Sequence, residues 1–504
     1  MQSQRDQVQA HQFVMNRLTS SIMRVEPDSP RTPTSRTLRG SLGGLGLAAL
    51  IGIGATVFGL LDPGGSSSWA KNGTLVVAKD SGADYLYMNG ELHPVLNEAS
   101  ARLLAGSQMT VSDVTSAALV GAPLGAPVGI VGAPASLPTA AQLTDAPWLA
   151  CASRETSATG AVTPLLTVAV GQGSDAPGSL PGTQLGSGQG LLVQTPDGTD
   201  YLLWRGERLR VDTSAGVLTA LGYDGTTPYP VSATFVDSLP AGQDLAPPTV
   251  AGLGDAGPEL ADQPTRYGQL FTGPAGAHYV LAESGLEPVT ATEYALLLGD
   301  PQIQVKAYGG QAVVAQPVGA QDVQEHLTAV VPSQLPEQPP TLVSADSGQT
   351  VCAETLVDSA APSYAVALLP TGSVTGYAPA LEPGDQAACD GADLVLVPSG
   401  LGALVRGVSG GGVGTTEYLV TDSGVKYPLA SASVAATLGY SAAPASVPTS
   451  LLALLPTGPS LDPALIASGG VVQAQSSASS GCGQALAAGN PPAAAPQGER
   501  KEQP

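Results

Sequence analysis

Few residues in this 504-residue chain have the types and spacing for chemistry. The four cysteines, Cys151, Cys352, Cys389 and Cys482, form no Cys-x-x-Cys pair, and His11, His93, His278 and His326 are far apart in sequence. Zinc sites draw on closely spaced Cys and His ligands, so neither a metal nor any other cofactor is expected. An even cysteine count in an oxidising compartment reads instead as disulfides, with three connectivities open. Gly407-Val-Ser409-Gly-Gly411 matches the nucleophile-elbow pattern. That pattern needs a following helix and a later histidine, but Gly and Thr follow and no His lies beyond His326, so a hairpin loop is expected. Phosphate-cradling loops place Gly-Lys-Ser/Thr after Gly-x4. None of Lys71, Lys79, Lys306, Lys426 and Lys501 stands in that pattern. No catalytic residue is assigned. His93 beside Pro94 reads as a capping or surface residue, with a pH-sensitive contact as the sharper alternative.

The elements around these residues begin with one apolar segment. Gly40 to Leu61 carries no charge and is bounded by Arg39 and Asp62. Twenty-two residues at about 1.5 Å each just cross a hydrocarbon core of about 30 Å. Gly40 and Gly44 are spaced for a closely approaching partner helix. Residues 1–39 hold six Arg and three acids, whereas the remainder holds 13 basic and 38 acidic residues. The positive-inside rule then puts the N-terminus in the cytoplasm and everything after residue 61 outside the plasma membrane. A cleaved signal peptide is the rival, but the basic region and the apolar run are both too long. Residues 1–39 read as a cytoplasmic amphipathic segment. Its helix runs from about Arg5 to Arg24, has Val8, Met15, Leu18 and Ile22 on one face, and is ended by Pro27 and Pro30. A net charge of −22 argues against nucleic-acid binding. Trp69, just past the span, is expected to anchor at the interface.

Beyond the span, one pattern recurs four times. Tyr85, Tyr201, Tyr279 and Tyr418 each open a short apolar run. Each run reaches a glycine five or six residues later: Gly90, Gly206, Gly285 and Gly424. Pro94, Pro288 and Pro428 follow, with Arg210 in the second copy. Asn97, Thr213, Thr290 and Ser431 then stand as helix-cap types, and Thr290-x-x-Glu293 is a capping box. Gly106, Gly222, Gly299 and Gly439 close the copies, 21, 21, 20 and 21 residues after the tyrosines. Each copy is expected to be two strands joined by a turn glycine of positive φ, then a helix of about two turns ended by a left-handed glycine. Lead-in strands at Leu75–Val77, Leu191–Val193, Leu270–Phe271 and Leu401–Val405 complete a three-stranded antiparallel piece.

The predicted fold class is a single-span membrane protein with an extracytoplasmic α+β domain of four small β-hairpin/helix units around a β-rich central core. The repeats are placed at 70–115, 186–245, 265–310 and 399–462. The core is placed at 116–185 and 311–398, with apolar runs at Leu327–Val331, Ala365–Leu369 and Leu394–Val397. Trp148 is expected to pack on a disulfide at Cys151. The Ala/Gly/Ser/Pro-rich tail, 476–504, has a composition that does not build a core.

Several stretches resemble a known family. They are Arg5-Asp-Gln-Val-Gln-Ala10, the run from Tyr85-Leu-Tyr-Met-Asn-Gly90 to Leu104, Gly129-Ile-Val-Gly132 to Pro138, and Pro147-Trp148 with Cys151. Over roughly residues 4–465 the chain is similar to EccB, a membrane-anchored core component of the actinobacterial type VII (ESX) secretion system. The resemblance implies a short cytoplasmic N-terminus, one transmembrane helix and four repeats around a core crossed by a disulfide, whose positions Cys151 and Cys352 match best. Cys389 and Cys482 have no counterpart carried over and are left as candidates for a second pair. The implied partners are the FtsK-like ATPase EccC, the multispanning EccD, EccE, a membrane-anchored mycosin protease and further copies of the chain. The implied role is a scaffold around the export channel for WXG100-type proteins. ATP hydrolysis described for some members finds no Walker motif here. The alternative from a different class is a membrane-tethered module that grips peptidoglycan.

Overall fold

A computed structural model describes residues 4–23, 33–61, 67–144, 147–156, 159–171, 182–356, 362–410 and 412–473. Pro27, Pro30, Cys482 and the tail 476–504 lie outside the described residues. Two helices lead the chain. The first, Gln4–Met23, exposes Val8, Met15, Leu18 and Ile22 along its length. The second, Pro33–Leu61, contains an apolar stretch at Thr37–Val57 with mean hydropathy 1.7, a few residues before the predicted span. A methyl at Gly40 or Gly44 would meet nothing within 4 Å, so this helix offers bare backbone on that face.

The rest of the described chain is built on sheets. Four sheets share one strand order. In the first, Thr74–Ala78, Ala83–Met88 and Glu91–Pro94 form an antiparallel meander, the helix Glu98–Ala105 crosses over, and Thr110–Val114 returns parallel to the first strand. The second uses Gln189–Gln194, Asp200–Trp204, Glu207–Arg210 and Tyr229–Pro230. The third uses Leu270–Thr272, His278–Ala282, Gly285–Val289 and Gln316–Pro317. The fourth uses Ala403–Ser409, Gly412–Val420, Lys426–Pro428 and Ala445–Pro448. The three-stranded expectation omitted the parallel fourth strand. It is short, and in three sheets it contains a proline, which an edge position tolerates. A parallel return needs a crossover, and the helix supplies it. The chain then comes back beside the third strand: Leu92 bridges Leu124, Arg208 bridges Ala241, Leu286 bridges Leu327 and Lys426 bridges Thr457.

A fifth, six-stranded sheet stands apart from these. Its order is Leu394–Leu396, Val162–Ala169, Trp148–Thr156, Gln349–Leu356, Ser363–Pro370 and Thr183–Gln184. Leu327–Val331, expected here, belongs instead to the third sheet's return. Leu327 bridges Leu286, and Val330 and Val331 are exposed, with no described element over them. Ala256–Leu260 and Gln263–Arg266 make a separate hairpin with no place in the predicted scheme.

The cores give the order of assembly. Trp148, Ala150 and Val168 of the central sheet share a core with Leu191, Val193 and Phe235 of the second sheet's region and Val405, Val420 and Leu451 of the fourth's. Ala99 and Leu103 of the first crossover helix pack with Leu404, Val434 and Leu438. Leu296 of the third packs with Leu202, Val217 and Leu221 of the second. The units therefore run first, fourth, centre, second, third.

Candidate functional site

Cys151 and Cys352 sit directly opposite each other on adjacent antiparallel strands of the central sheet and form a disulfide with Cα atoms 4.0 Å apart. It closes a sequence separation of 201 residues. Side chains alternate faces along a strand, so Trp148, three residues before Cys151, points the other way. Trp148 enters the large shared core. Cys151 and Cys352 enter a smaller one with Leu149, Ala367 and Leu369. The expectation that Trp148 packs on the disulfide fails for this reason. Cys389 is also disulfide-bonded, and Cys482 lies outside the described residues.

The recurring tyrosines meet their prolines across the hairpins. Tyr85 is paired with Pro94, Tyr201 with Arg210, Tyr279 with Pro288 and Tyr418 with Pro428. The turn glycines Gly90, Gly206, Gly285 and Gly424 all have positive φ, the region glycine enters without a Cβ penalty. Two are pinned by neighbours as well. A Cβ on Gly206 would lie 2.2 Å from the carbonyl oxygen of Tyr364, and one on Gly424 would lie 2.9 Å from Val395. Tyr364 and Val395 stand on opposite sides of the central sheet's strand order, so the second and fourth hairpins grip it from two sides.

The closing glycines divide. Gly106, Gly222 and Gly439 have positive φ. Gly299 instead ends the helix Ala291–Gly299, and Asp300 caps both it and the next helix, Pro301–Lys306. Glycine is required at 299 by proximity, because a Cβ there would come within 2.5 Å of Ala220 on the second unit's helix Val217–Ala220. Asn97 caps its helix through Ser100 N at 3.0 Å, and Thr290 and Glu293 form the reciprocal box. Asp212, not Thr213, caps the second unit, since Asp212 accepts from Ser214 N at 3.0 Å. Ser431 makes no side-chain cap bond.

The remaining candidates are structural. His93 places Nδ1 2.9 Å from Ala126 O, and its ring covers Gly125, where a Cβ would come within 2.3 Å of it. Trp69 is buried edge-on against Tyr87 with Val76 and Leu92, so it belongs to the first sheet's core and does not stand out as an interfacial anchor. His278 stacks on Tyr294. Ser409 ends a strand and enters a hairpin, with no helix after it. No group of three or more potential metal ligands occurs among the described residues. Within the first unit's helix Arg102 pairs with Glu98 at 3.1 Å, and Tyr440 of the fourth unit donates to Pro138 O at 2.8 Å. Burial, and then Glu98, hold the Asp84 carboxyl above its ordinary range. This arrangement offers surfaces and clamps.

Residues 1–472 match the family described as "Type VII secretion system ESX-1, transport TM domain B". The chain belongs to this EccB family. The chain is 29% identical over 484 residues to the "ESX-3 secretion system ATPase EccB3" of Mycolicibacterium smegmatis, which covers 91% of this chain and 89% of that relative. The protein of the same name from Mycobacterium tuberculosis is 28% identical, covering 91% and 88%. The solved "EccB3 dimer from the ESX-3 core complex" is 26% identical with a TM-score of 0.61, covering 77% of this chain and 98% of that chain. A chain of the "intact ESX-5 inner membrane complex", 23% identical, shares the fold with a TM-score of 0.60 over 92% of this chain and 95% of that one. EccB is thus a component of ESX inner-membrane complexes.

Proposed function

We propose that this EccB chain is a structural subunit of a type VII secretion membrane complex, scaffolding the export channel and its outer face for WXG100-type proteins. The observation that carries the reading is the family match from residue 1 to 472, which takes in the apolar helix and the sheet region together. Thr37–Val57 anchors the chain, the Arg-rich N-terminus lies in the cytoplasm and the sheets lie outside. The four sheets of like strand order are four copies of one unit, and Cys389 pairs with Cys482. The helix glycines Gly40 and Gly44 receive a neighbouring helix. The partners are the FtsK-like ATPase EccC, the multispanning EccD, EccE, a mycosin protease and further EccB copies. Similar units displayed on one rigid body suit repeated subunit contacts, because a closed ring buries several equivalent patches at once. The word ATPase in the relatives' names is not carried to this chain, which has no Gly-x4-Gly-Lys-Ser/Thr.

Mild detergent extraction, affinity capture of the tagged chain and mass spectrometry of the purified particle test the reading. Recovery of the FtsK-like motor and the multispanning subunit in one large particle is the expected result. A chain recovered alone or with wall fragments would overturn it and favour the peptidoglycan-gripping alternative.

A further inference from the structure

A cleft of about 1080 Å³ opens between the second and fourth units. One wall is the helix Ala233–Asp237, the other is the strand segment 412–416 with Tyr418 and Lys426. Lys426 is buried, 9% exposed, and its Nζ donates to Leu452 O at 2.6 Å and Leu455 O at 2.8 Å. An ammonium has three donors, so one N–H is left over. Among the described residues no carboxylate forms an ion pair with it. Desolvation alone pushes its pKa down to about 8.

The fold does not require a cation there. Counting along each hairpin from the Tyr–Pro pair, the position of Lys426 is occupied by Leu92 in the first unit, Arg208 in the second and Leu286 in the third. All four bridge the returning chain. Leucine fills the place in the two units away from the cleft, and a base fills it in the two units that flank it. Arg208 is ion-paired with Asp237 on the cleft wall, whereas Lys426 has no such partner. Asp390 is the other acid among the described lining residues.

The second observation is an open strand edge. Gly412–Val420 pairs with Ala403–Ser409 on one side, but on the other, among the described residues, only Tyr418, Leu419 and Val420 pair with a strand and Glu417 O accepts from Leu429 N, so that 412–416 stay unpaired. Residues 412–416 are exposed and line the cleft. They are Gly-Val-Gly-Thr-Thr, with none of the Pro, Lys or inward charge that usually blunts such an edge. Five residues of strand offer about 17 Å of edge.

We propose that this cleft binds an extended peptide bearing a carboxylate, which adds to the 412–416 edge as a further strand and sets its carboxylate against the Lys426 ammonium. Main-chain bonds supply affinity and the lysine supplies selection, the division usual in strand addition. The inference is independent of the assembly reading above.

The test uses the full chain in detergent and fluorescein-labelled, C-terminally amidated hexapeptides of alternating valine and threonine. One peptide carries a single glutamate, its control carries glutamine, and a third carries glutamate with every peptide nitrogen methylated. Fluorescence polarisation is expected to show the glutamate peptide binding about tenfold more tightly than the glutamine peptide, a difference of one order in Kd. The methylated peptide should lose binding. Lys426→Leu, the residue found in the first and third units, should bring the first two peptides within about twofold of each other. Equal binding of the two peptides by the unaltered chain overturns the proposal whether or not the variant folds. So does undiminished binding of the methylated peptide, or no binding of any peptide at about 1 mM, the weak end of the affinity scale.

Discussion

The second and fourth units differ from the first and third although all four share a strand order. The inner pair presses its hairpin turns onto the central sheet, at Tyr364 and Val395, and has a base where the outer pair has leucine. The turn glycines of the outer pair do not meet the central sheet: a Cβ on Gly90 would find open space, and one on Gly285 would meet His326 O in the third sheet's return. One backbone plan is therefore held in two ways. The outer units bury their own sheets and lean on a neighbour through a helix, as Gly299 does against Ala220. The inner units take part of their stability from the sheet they grip.

Four experiments would break or sharpen that contrast. Removing the clamp within the gripped sheet should have the largest effect. The double variant Cys151→Ala, Cys352→Ala is expected to lose about 2–5 kcal/mol in denaturant unfolding, and protease sensitivity should rise first around the central sheet. Next comes the turn pair. Gly206→Ala combines a positive φ with a backbone clash and should cost about 3 kcal/mol, whereas Gly90→Ala has only the left-handed penalty, about 1 kcal/mol. Equal losses would refute the grip.

The third experiment concerns Lys426. Its folded pKa of about 8 lies below the ordinary 10.5, so between those values the unfolded chain holds more protons and stability rises with pH. The penalty is fully present below pH 8 and is relieved as pH climbs. Any melting advantage of Lys426→Leu over the unaltered chain should therefore shrink from pH 7 to pH 9.5. The smallest effect is expected at a cap in an outer unit. Thr290→Ala should cost about 1 kcal/mol by breaking the reciprocal box with Glu293, without altering the inner units' melting.

Legibility followed the range of the forces involved. The apolar helix, the hairpins, the turn glycines and the box at Thr290 rest on contacts within a few residues, so spacing and residue type reveal them. Thr213 misled because Asp212 beside it makes the stronger cap. Ser431 had the right type and position but no cap bond followed. Gly299 carried the expected glycine for a different reason, close approach to Ala220, which no local pattern encodes. The short parallel strands such as Tyr229–Pro230 have too few residues for any periodicity. Leu327–Val331 read as a core strand because apolar composition alone does not say which neighbour will cover it.

By itself, the sequence determined the long apolar helix, the recurring tyrosine–glycine hairpins and the family resemblance, because each depends on local charge, hydropathy, turn residues and short motifs. The open cysteine connectivity at the centre was narrowed only by family resemblance. Tertiary structure alone decided the order first, fourth, centre, second, third, the different faces of Trp148 and Cys151, and the cleft where Lys426 is held by carbonyl oxygens and, among the described residues, by no carboxylate. These are outcomes of long-range packing. Which apolar faces meet, and which charge is left uncovered, depends on how distant segments share one buried volume.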